Sequence, residues 1–353
     1  MLNYNSLMSS KIGVARALYS YYHYPLFKTF FQTLGVTVFL STRTTKQILK
    51  AGIEHAPAEI CLPVKTFIGH IAYLKDKVDF LLIPRLVCTK DSRQIQFGCP
   101  KAIGLPDLIR VTFDKLPPII ELNWDERITS LKKELLAIAK TFSKNRRVLK
   151  QAYQQAQKAQ LVTERLLSQG LTPDQIFEDK LYTDEPKILN SEKNNPGGLA
   201  SSNDSITVGV VGHRYLLFDT ELSLNIVNRL KELGVSVITP TMLSVDIIHN
   251  SASKYRTLGV PGSRSGEMCW TYEKEILGSA AHFLNGRKTD GIVLVSSFAC
   301  GTSAVVNEII HREVAHTSHT PILTLLLDEH TAEAGIMTRL ESFIDLISLS
   351  KRK

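Results

Sequence analysis

The sequence predicts an α/β fold, in which two Rossmann-like lobes with parallel sheets face a cleft and a helical segment lies between them. Short apolar strands alternate with helical patterns in both halves, which is typical of parallel sheets with right-handed crossovers. The apolar run at 292–295 lacks polar alternation, as expected of a parallel strand covered on both faces. A helix that ends at a glycine before a new strand occurs at 31–38 and again at 230–237, so the two halves resemble each other.

The N-terminal lobe is predicted over residues 1–124. Its elements, in order, are a strand at 11–15, a helix at 24–34, a strand at 36–40, helices around 44–51 and 66–75, and a strand at 78–83. Pro25 is expected in the first turn of its helix, where a missing N–H costs no helical hydrogen bond. Pro84-Arg85 is expected to end the third strand.

Residues 125–189 form the predicted helical segment. Apolar residues recur at helical spacing from 128 to 166, which predicts two helices packed against a domain or against another subunit. A structural hairpin or a dimer arm explains this pattern better than a binding site. The composition of 190–204, rich in Asn, Ser and Gly, predicts a linker, and the C-terminal lobe is then expected over 205–353.

The composition limits the class of protein. The 353-residue chain has a net charge of +8, with 44% hydrophobic and 22% charged residues, as in an ordinary soluble protein. Its basic residues are spread along helical patterns and are not interleaved with aromatics in one run, so no nucleic-acid partner is expected. Because the longest apolar runs stop at strand length and no secretory signal precedes the first strand, we expect a cytoplasmic protein without membrane contact. Five cysteines in such a chain argue against a disulfide framework.

Cys61, Cys99 and Cys300 are all predicted to lie in loops. Cys61 stands two residues before a proline and Cys99 directly before one, which fixes the backbone near each thiol. A helix that Thr302 or Ser303 is expected to cap follows Cys300, and its dipole favours a thiolate. By themselves, these residues fit either a shared metal or three unrelated thiols.

Two further polar loops carry candidate histidines at the same sheet edge. His213 follows a glycine turn of the kind that often holds phosphate, but a GxGxxG pattern and an acidic residue for a ribose are missing. His330 can carry protons or act as a ligand, or it can be solvated while Asp328 and Thr331 cap a helix. The sequence has no GxxxxGK(S/T) loop and no GxSxG elbow, which excludes the usual P-loop ATPase and that class of hydrolase.

Several segments together resemble a known family. They are Lys11-Ile-Gly-Val-Ala-Arg-Ala17 with Tyr24-Pro-Leu-Phe-Lys28, Cys61-Leu-Pro-Val-Lys65 with Gly69-His70, Ile83-Pro-Arg85, Cys99-Pro-Lys101 with Gly104-Leu-Pro-Asp107, Gly212-His213, Phe298-Ala-Cys-Gly301, and Asp328-Glu-His-Thr331 with Glu333-Ala-Gly335 and Thr338-Arg-Leu340. In this order they are similar to the 2-hydroxyacyl-CoA dehydratase D-component superfamily, and within it to the branch labelled acyl-CoA dehydratase activase-related. The resemblance runs from about 11 to 347.

The resemblance implies an iron–sulfur redox protein. It implies a [4Fe-4S] cluster held by the thiolates of Cys61, Cys99 and Cys300, with His213 and His330 lining the pocket as proton donors or orienting groups. A separate ATP-dependent activase would supply a low-potential electron, and an acyl-CoA would be the substrate of a homo- or heterodimer. If the chain is an enzyme, the resemblance implies a [4Fe-4S] lyase of the 2-hydroxyacyl-CoA dehydratase type or a reductase.

Three alternatives remain open at this stage. The cluster can reduce a small molecule, or the chain can be a non-catalytic electron-transfer or scaffold subunit that docks the activase through 125–170. A cluster-free α/β binding protein is the third. Two departures from the family pattern, Gly212-His-Arg-Tyr215 and Cys300-Gly-Thr-Ser303, lie at the expected pocket. The ATP-binding motifs of the activase itself are missing, so the chain is expected to be the partner of such an ATPase.

Overall fold

A computed structural model describes residues 10–90, 95–178, 206–255, 267–285 and 289–351. The described residues form two compact units. The N-terminal unit contains 10–58, 63–166 and 171–178, and the C-terminal unit contains 59–62, 167–170 and the described residues from 206 onwards. The predicted linker at 190–204 and the end of the predicted helical segment lie outside the described residues, and the predicted domain boundaries stay a prediction.

The N-terminal unit is built on a mostly parallel sheet. Its strands among the described residues are β1 (Lys11–Val14), β2 (Thr37–Leu40), β3 (Phe80–Lys90), β4 (Ile95–Phe97) and β5 (Ile119–Asp125). The strand order is β2-β1-β3-β4, and β5 pairs with β3. The pairs β1–β2, β1–β3 and β3–β5 are parallel, whereas β3 and β4 are antiparallel.

Helices pack on this sheet, and two of them approach each other closely. The helices are α1 (Ser20–Thr33), α2 (Lys46–His55), α3 (Leu62–Leu74), α4 (Pro100–Ile103), α5 (Leu105–Thr112), α6 (Leu131–Ala139), α7 (Arg146–Ser168) and α8 (Pro173–Glu178). A Cβ at Gly52 of α2 would lie 2.0 Å from the carbonyl oxygen of Lys65, and one at Gly69 of α3 would lie 2.0 Å from that of Ile48. The two glycines therefore let the backbones touch, which fixes the position of α3 and of the side chains that it carries.

The two helices expected between 125 and 170 are α6 and α7. The buried side of α7 includes Leu149, Ala152 and Ala156. Its Gln160 donates a hydrogen bond from Nε2 to the carbonyl oxygen of Tyr22 at 2.8 Å. This helix therefore packs on its own unit, as the structural-hairpin interpretation requires.

Three local expectations about the N-terminal unit are wrong. β4 is antiparallel because only residues 91–94 separate it from β3, too few for the crossover that a parallel pair needs. β3 continues through Pro84 to Lys90. Its pairing with β1 ends at Leu81, and a proline is tolerated where a strand has a side without ladder partners. α1 starts at Ser20, so Pro25 lies inside it; burial of the aromatic residues in the added turn offsets the cost of the missing N–H.

The C-terminal unit has a fully parallel sheet. Its strands among the described residues are β6 (Thr207–Val211), β7 (Ser236–Ile238), β8 (Gly291–Ser297) and β9 (Ile322–Leu327), in the order β7-β6-β8-β9. Its helices are α9 (Arg214–Phe218), α10 (Ile226–Glu232), α11 (Val245–Ala252), α12 (Thr271–Leu284), α13 (Gly301–Ile309) and α14 (Glu333–Lys351). Every residue of β8 is buried, as predicted for a strand covered on both faces.

In both sheets the first strand lies between the second and the third. The first connection in each sheet therefore runs to one side of the first strand, and the next connection crosses to its other side. The carboxyl ends of β1 and β3, and those of β6 and β8, flank a topological switch point, where open α/β sheets bind ligands. The predicted fold class, two Rossmann-like lobes with parallel sheets, is confirmed. In the part of the chain that the structure describes, no helix has the length and apolar character needed to cross a membrane.

Candidate functional site

Two loops meet at the carboxyl edge of the C-terminal sheet. His213 follows β6 and Cys300 follows β8. The loops can approach because a Cβ at Gly212 would lie 2.5 Å from the carbonyl oxygen of Val295, so only glycine fits there. Ala299 has φ of 60°, a left-handed conformation that is strained for a residue with a Cβ. The backbone thus bends sharply just before the cysteine and presents it at the switch point.

A buried ion pair forms the inner end of the site. Nε2 of His213 lies 3.1 Å from Oε1 of Glu273 on α12, and both side chains are almost fully buried. Burial lowers the pKa of His213, but the hydrogen bond and the charge of Glu273 outweigh it, so the pKa lies above its ordinary value. Burial raises the pKa of Glu273, and His213 outweighs that effect and lowers it. The ring of Tyr215 stacks on His213 with 4.8 Å between the centroids.

Ser303 connects this pair to the cysteine. Its Oγ lies 3.5 Å from Nδ1 of His213 and accepts a hydrogen bond from the thiol of Cys300 at 3.1 Å. We call Glu273, His213, Ser303 and Cys300 the Cys300 relay. A carboxylate, an imidazole, a hydroxyl and a thiol in this sequence can hold a proton and exchange it at the sulfur.

The expected capping of α13 by Thr302 or Ser303 is wrong. The helix begins at Gly301, and Cys300 itself is the N-cap residue, without a side-chain capping bond. Both hydroxyls therefore lie in the first turn, and Oγ1 of Thr302 is 3.6 Å from the Cys300 sulfur. The residues that were expected to cap the start of the helix instead lie beside the thiol.

The other two candidate cysteines lie in different units. Cys61 belongs to the C-terminal unit, where the next residue, Leu62, donates its N–H to Oγ of Ser297 at 3.2 Å. The carbonyl oxygen of Ser297 also accepts the N–H of Cys300 at 3.1 Å, so the structure brings the Cys61 backbone to the carboxyl end of β8. Cys99 belongs to the N-terminal unit, as the N-cap residue of α4.

The described residues offer no assembled metal site. Within the ranges that the structure describes, no group of three or more His, Cys, Asp or Glu side chains is placed to hold a metal ion. The assignment of Cys61, Cys99 and Cys300 as ligands of a [4Fe-4S] cluster stays a prediction.

His330 lies in the turn before α14. Its side chain is exposed, and its N–H donates to Oδ1 of Asp328 at 2.9 Å. Asp328 also accepts from the hydroxyl of Thr331 at 2.8 Å, which together with the backbone contacts lowers the pKa of the Asp328 carboxyl. These contacts agree with the capping alternative. A proton-carrying role of His330 stays a prediction.

Sequence reasoning missed Glu273. It lies 60 positions from His213 in the chain, on a helix whose other buried residues are mostly apolar. The only available signal was a run of three adjacent charges, Glu273-Lys274-Glu275, in a segment that is otherwise typical of a core helix. Glu273 is buried and paired with His213, and a buried charged pair is one mark of a functional site.

One comparison with known proteins identifies a family. The model of a family described as "CoA enzyme activase uncharacterised domain (DUF2229)" matches residues 11–243, about two-thirds of the chain. The matched residues include Cys61, Cys99 and His213 and end before Glu273 and Cys300. A search of curated proteins found no match.

The match corrects the function expected from the sequence. We expected an iron–sulfur dehydratase component that receives its electron from a separate activase, with electron-transfer and reductase variants of that role. The matching family is instead named for a CoA enzyme activase. The resemblance to the dehydratase superfamily indicated a related group but the wrong role. Proteins that share a fold and its sequence motifs can have different activities.

Proposed function

The chain belongs to the CoA enzyme activase domain family, and we propose that it acts in the activation of an acyl-CoA enzyme. The family match over residues 11–243 is the observation that carries this proposal. We further propose that the Cys300 relay is the site through which it acts. A buried titratable pair with shifted pKa values, at the switch point of a parallel sheet, supports that choice.

The relay connects the thiol of Cys300 to a buried acid–base pair. Glu273 keeps His213 charged to a higher pH than a free histidine, and Ser303 connects the imidazole to the sulfur. Cys300 is half-buried, whereas Glu273, His213 and Ser303 are buried. The thiol is therefore the end of the relay that a partner molecule can reach.

Activation can be tested with an inactive acyl-CoA enzyme. A 2-hydroxyacyl-CoA dehydratase prepared without its activator would be incubated with ATP and a low-potential chemical reductant in the presence or absence of this chain. We expect turnover of the acyl-CoA to begin only when the chain is present. Release of inorganic phosphate, measured in the same mixture, shows whether ATP is consumed. Equal turnover with and without the chain would overturn the proposal.

The role of the relay has a separate test. Cys300→Ser is expected to reduce the rate of activation by at least about tenfold, because a hydroxyl does not replace a thiol as an acid or nucleophile at neutral pH. Cys269→Ser, which changes a buried cysteine outside the relay, is the matched control. If Cys300→Ser activates like the unmodified chain, the relay is not the site, although the family-based proposal stands.

A further inference from the structure

We propose that the carboxyl edge of the N-terminal sheet is a second binding site, for a phosphate group, in which Arg16 holds the phosphate and the carboxylates of Asp174 and Glu178 occupy its place when it is absent. This inference does not depend on the activation proposal. The site lies in the loop after β1, beside the switch point between β1 and β3. Leu18 in this loop has φ of 48°, so the backbone is strained there.

The Arg16 backbone is held by a buried hydrogen-bond chain. Its N–H donates to Oγ of Ser41 at 2.8 Å, and Ser41 Oγ lies 2.8 Å from Nδ1 of His70. Nε2 of His70 lies 3.0 Å from Oγ1 of Thr44. Since Ser41 already accepts from Arg16, its hydroxyl is free to donate to Nδ1 of a neutral His70. Because the backbone of Arg16 is fixed in this way, its guanidinium is positioned before any ligand binds.

Two carboxylates form ion pairs with the guanidinium of Arg16 in this structure. Nη2 of Arg16 lies 2.5 Å from Oδ1 of Asp174 and 3.1 Å from Oε1 of Glu178, both on α8. Nη2 of Arg43 lies 2.7 Å from Oε2 of Glu178. The Arg16 side chain is only 6% exposed, whereas those of Arg43 and Glu178 are 52% and 45% exposed. The site is therefore open to solvent at the Arg43–Glu178 ion pair.

The binding capacity of Arg16 is only partly used. Its Nε is buried and has no hydrogen-bond partner among the described residues. Both carboxylates approach Nη2, whereas a phosphate or a single carboxylate can accept two parallel hydrogen bonds, one from Nε and one from Nη2. The unpaired Nε is therefore the position at which an external anion gains a contact that α8 does not supply.

Charge balance selects a phosphate. A ligand that replaces Asp174 and Glu178 has to supply about two negative charges, as a phosphate monoester or diphosphate does near neutral pH. The exchange does not require α8 to leave. Its buried Phe177 packs on Tyr24 with 5.0 Å between ring centroids, so only the two carboxylate side chains have to turn away.

Pyrophosphate binding to the full chain, measured by calorimetry, tests the site. Asp174→Asn with Glu178→Gln should bind pyrophosphate about tenfold more tightly, because an internal competitor has been removed. Arg16→Lys should bind at least about tenfold more weakly, because lysine keeps the charge but loses the fork. Arg43→Gln, an exposed position, should weaken binding about threefold and gives a second variant if Arg16→Lys does not fold.

A charge-matched control separates the site from a general effect. Asp107→Asn with Glu121→Gln removes the same two charges from the same unit, beside Arg85 and not beside Arg16. It should bind pyrophosphate like the unmodified chain. Competition with coenzyme A and with ATP then identifies the source of the phosphate, and displacement by either supports the site. Equal tightening in the control, unchanged affinity in both arginine variants, or no binding to the Asp174 and Glu178 variant would overturn the proposal.

Discussion

His70 and His213 are both buried at the carboxyl edge of a sheet, one in each unit, yet their pKa values shift in opposite directions. Burial followed by the charge of Arg16 lowers the pKa of His70 to about 3. For His213 burial acts in the same direction, but the Glu273 carboxylate reverses the result. His70 is flanked by the hydroxyls of Ser41 and Thr44, which accommodate a neutral ring. The group within about 3 Å therefore decides the charge of a buried histidine, although burial opposes charge in both.

The largest effect is expected from removal of Glu273. In Glu273→Ala, His213 loses its carboxylate and keeps the Ser303 hydroxyl at 3.5 Å from Nδ1. Breaking a buried pair by removing one partner costs about 3–5 kcal/mol of stability. Urea denaturation at neutral pH measures this cost. Glu308→Ala, at an exposed pair with Arg312, is the control and should change stability by less than about 1 kcal/mol. A similar small loss in both variants would contradict the role of the buried pair.

The pH dependence of stability should show the opposite signs directly. The pKa of His70 is lower in the folded chain than in the unfolded chain, so the unfolded state binds more protons and stability is lost as the pH falls from about 6.5 towards 3. Between pH 7 and pH 4 this contribution amounts to about 3 kcal/mol. His213 has a raised pKa, so its contribution is complete below about 6.5 and is lost as the pH rises through the folded value.

His70→Gln removes the first of these two contributions. Denaturation at several pH values should show an acid limb that is flatter by about 3 kcal/mol, whereas the alkaline limb stays unchanged. Thr338→Val, at an exposed position, removes no titratable group and should leave both limbs as they are. An unchanged acid limb in His70→Gln would show that the buried ring is not the group that titrates.

A smaller effect is expected from Thr44→Val, which changes the surroundings of His70. The substitution keeps the shape but removes the oxygen 3.0 Å from Nε2 of His70, and an unsatisfied buried polar group costs about 1–3 kcal/mol. Thr338→Val, an exposed threonine that donates to the carbonyl oxygen of Ala334, is the matched control. Equal melting temperatures for the two variants would show that His70 does not rely on this hydroxyl.

The smallest effect is expected on the stability of Ser303→Ala. Its hydroxyl lies 3.5 Å from Nδ1 of His213, a long contact, while Glu273 holds the other nitrogen at 3.1 Å. We expect a loss of about 0.5–1.5 kcal/mol, within the range of one ordinary hydrogen bond. Chemical denaturation decides this point. A loss as large as that of Glu273→Ala would mean that the hydroxyl and not the carboxylate stabilises His213.

The sequence predicted the strands, loops and helix of the candidate site better than the contacts between its side chains. The apolar run of β8, the cysteine after it and the following helix were all predicted, and so was the position of His213 after β6. These are local patterns, set by a few neighbouring residues. The partner Glu273 was not predicted, because its helix reaches the site only through packing of the whole unit. The same reason explains Arg16, whose partners on α8 lie 158 and 162 positions away.

Local patterns in the sequence were enough to predict the fold class, the order of the elements from β1 to β3, and the placement of polar loops at the ends of buried strands. Periodicity and turn residues act over short distances, so they can be found without coordinates. Only the tertiary structure decided which charges meet: a carboxylate beside His213, hydroxyls beside His70, and two carboxylates at Arg16. Contacts between distant segments depend on how helices pack on each sheet, and it is these contacts that set the charge of a buried side chain.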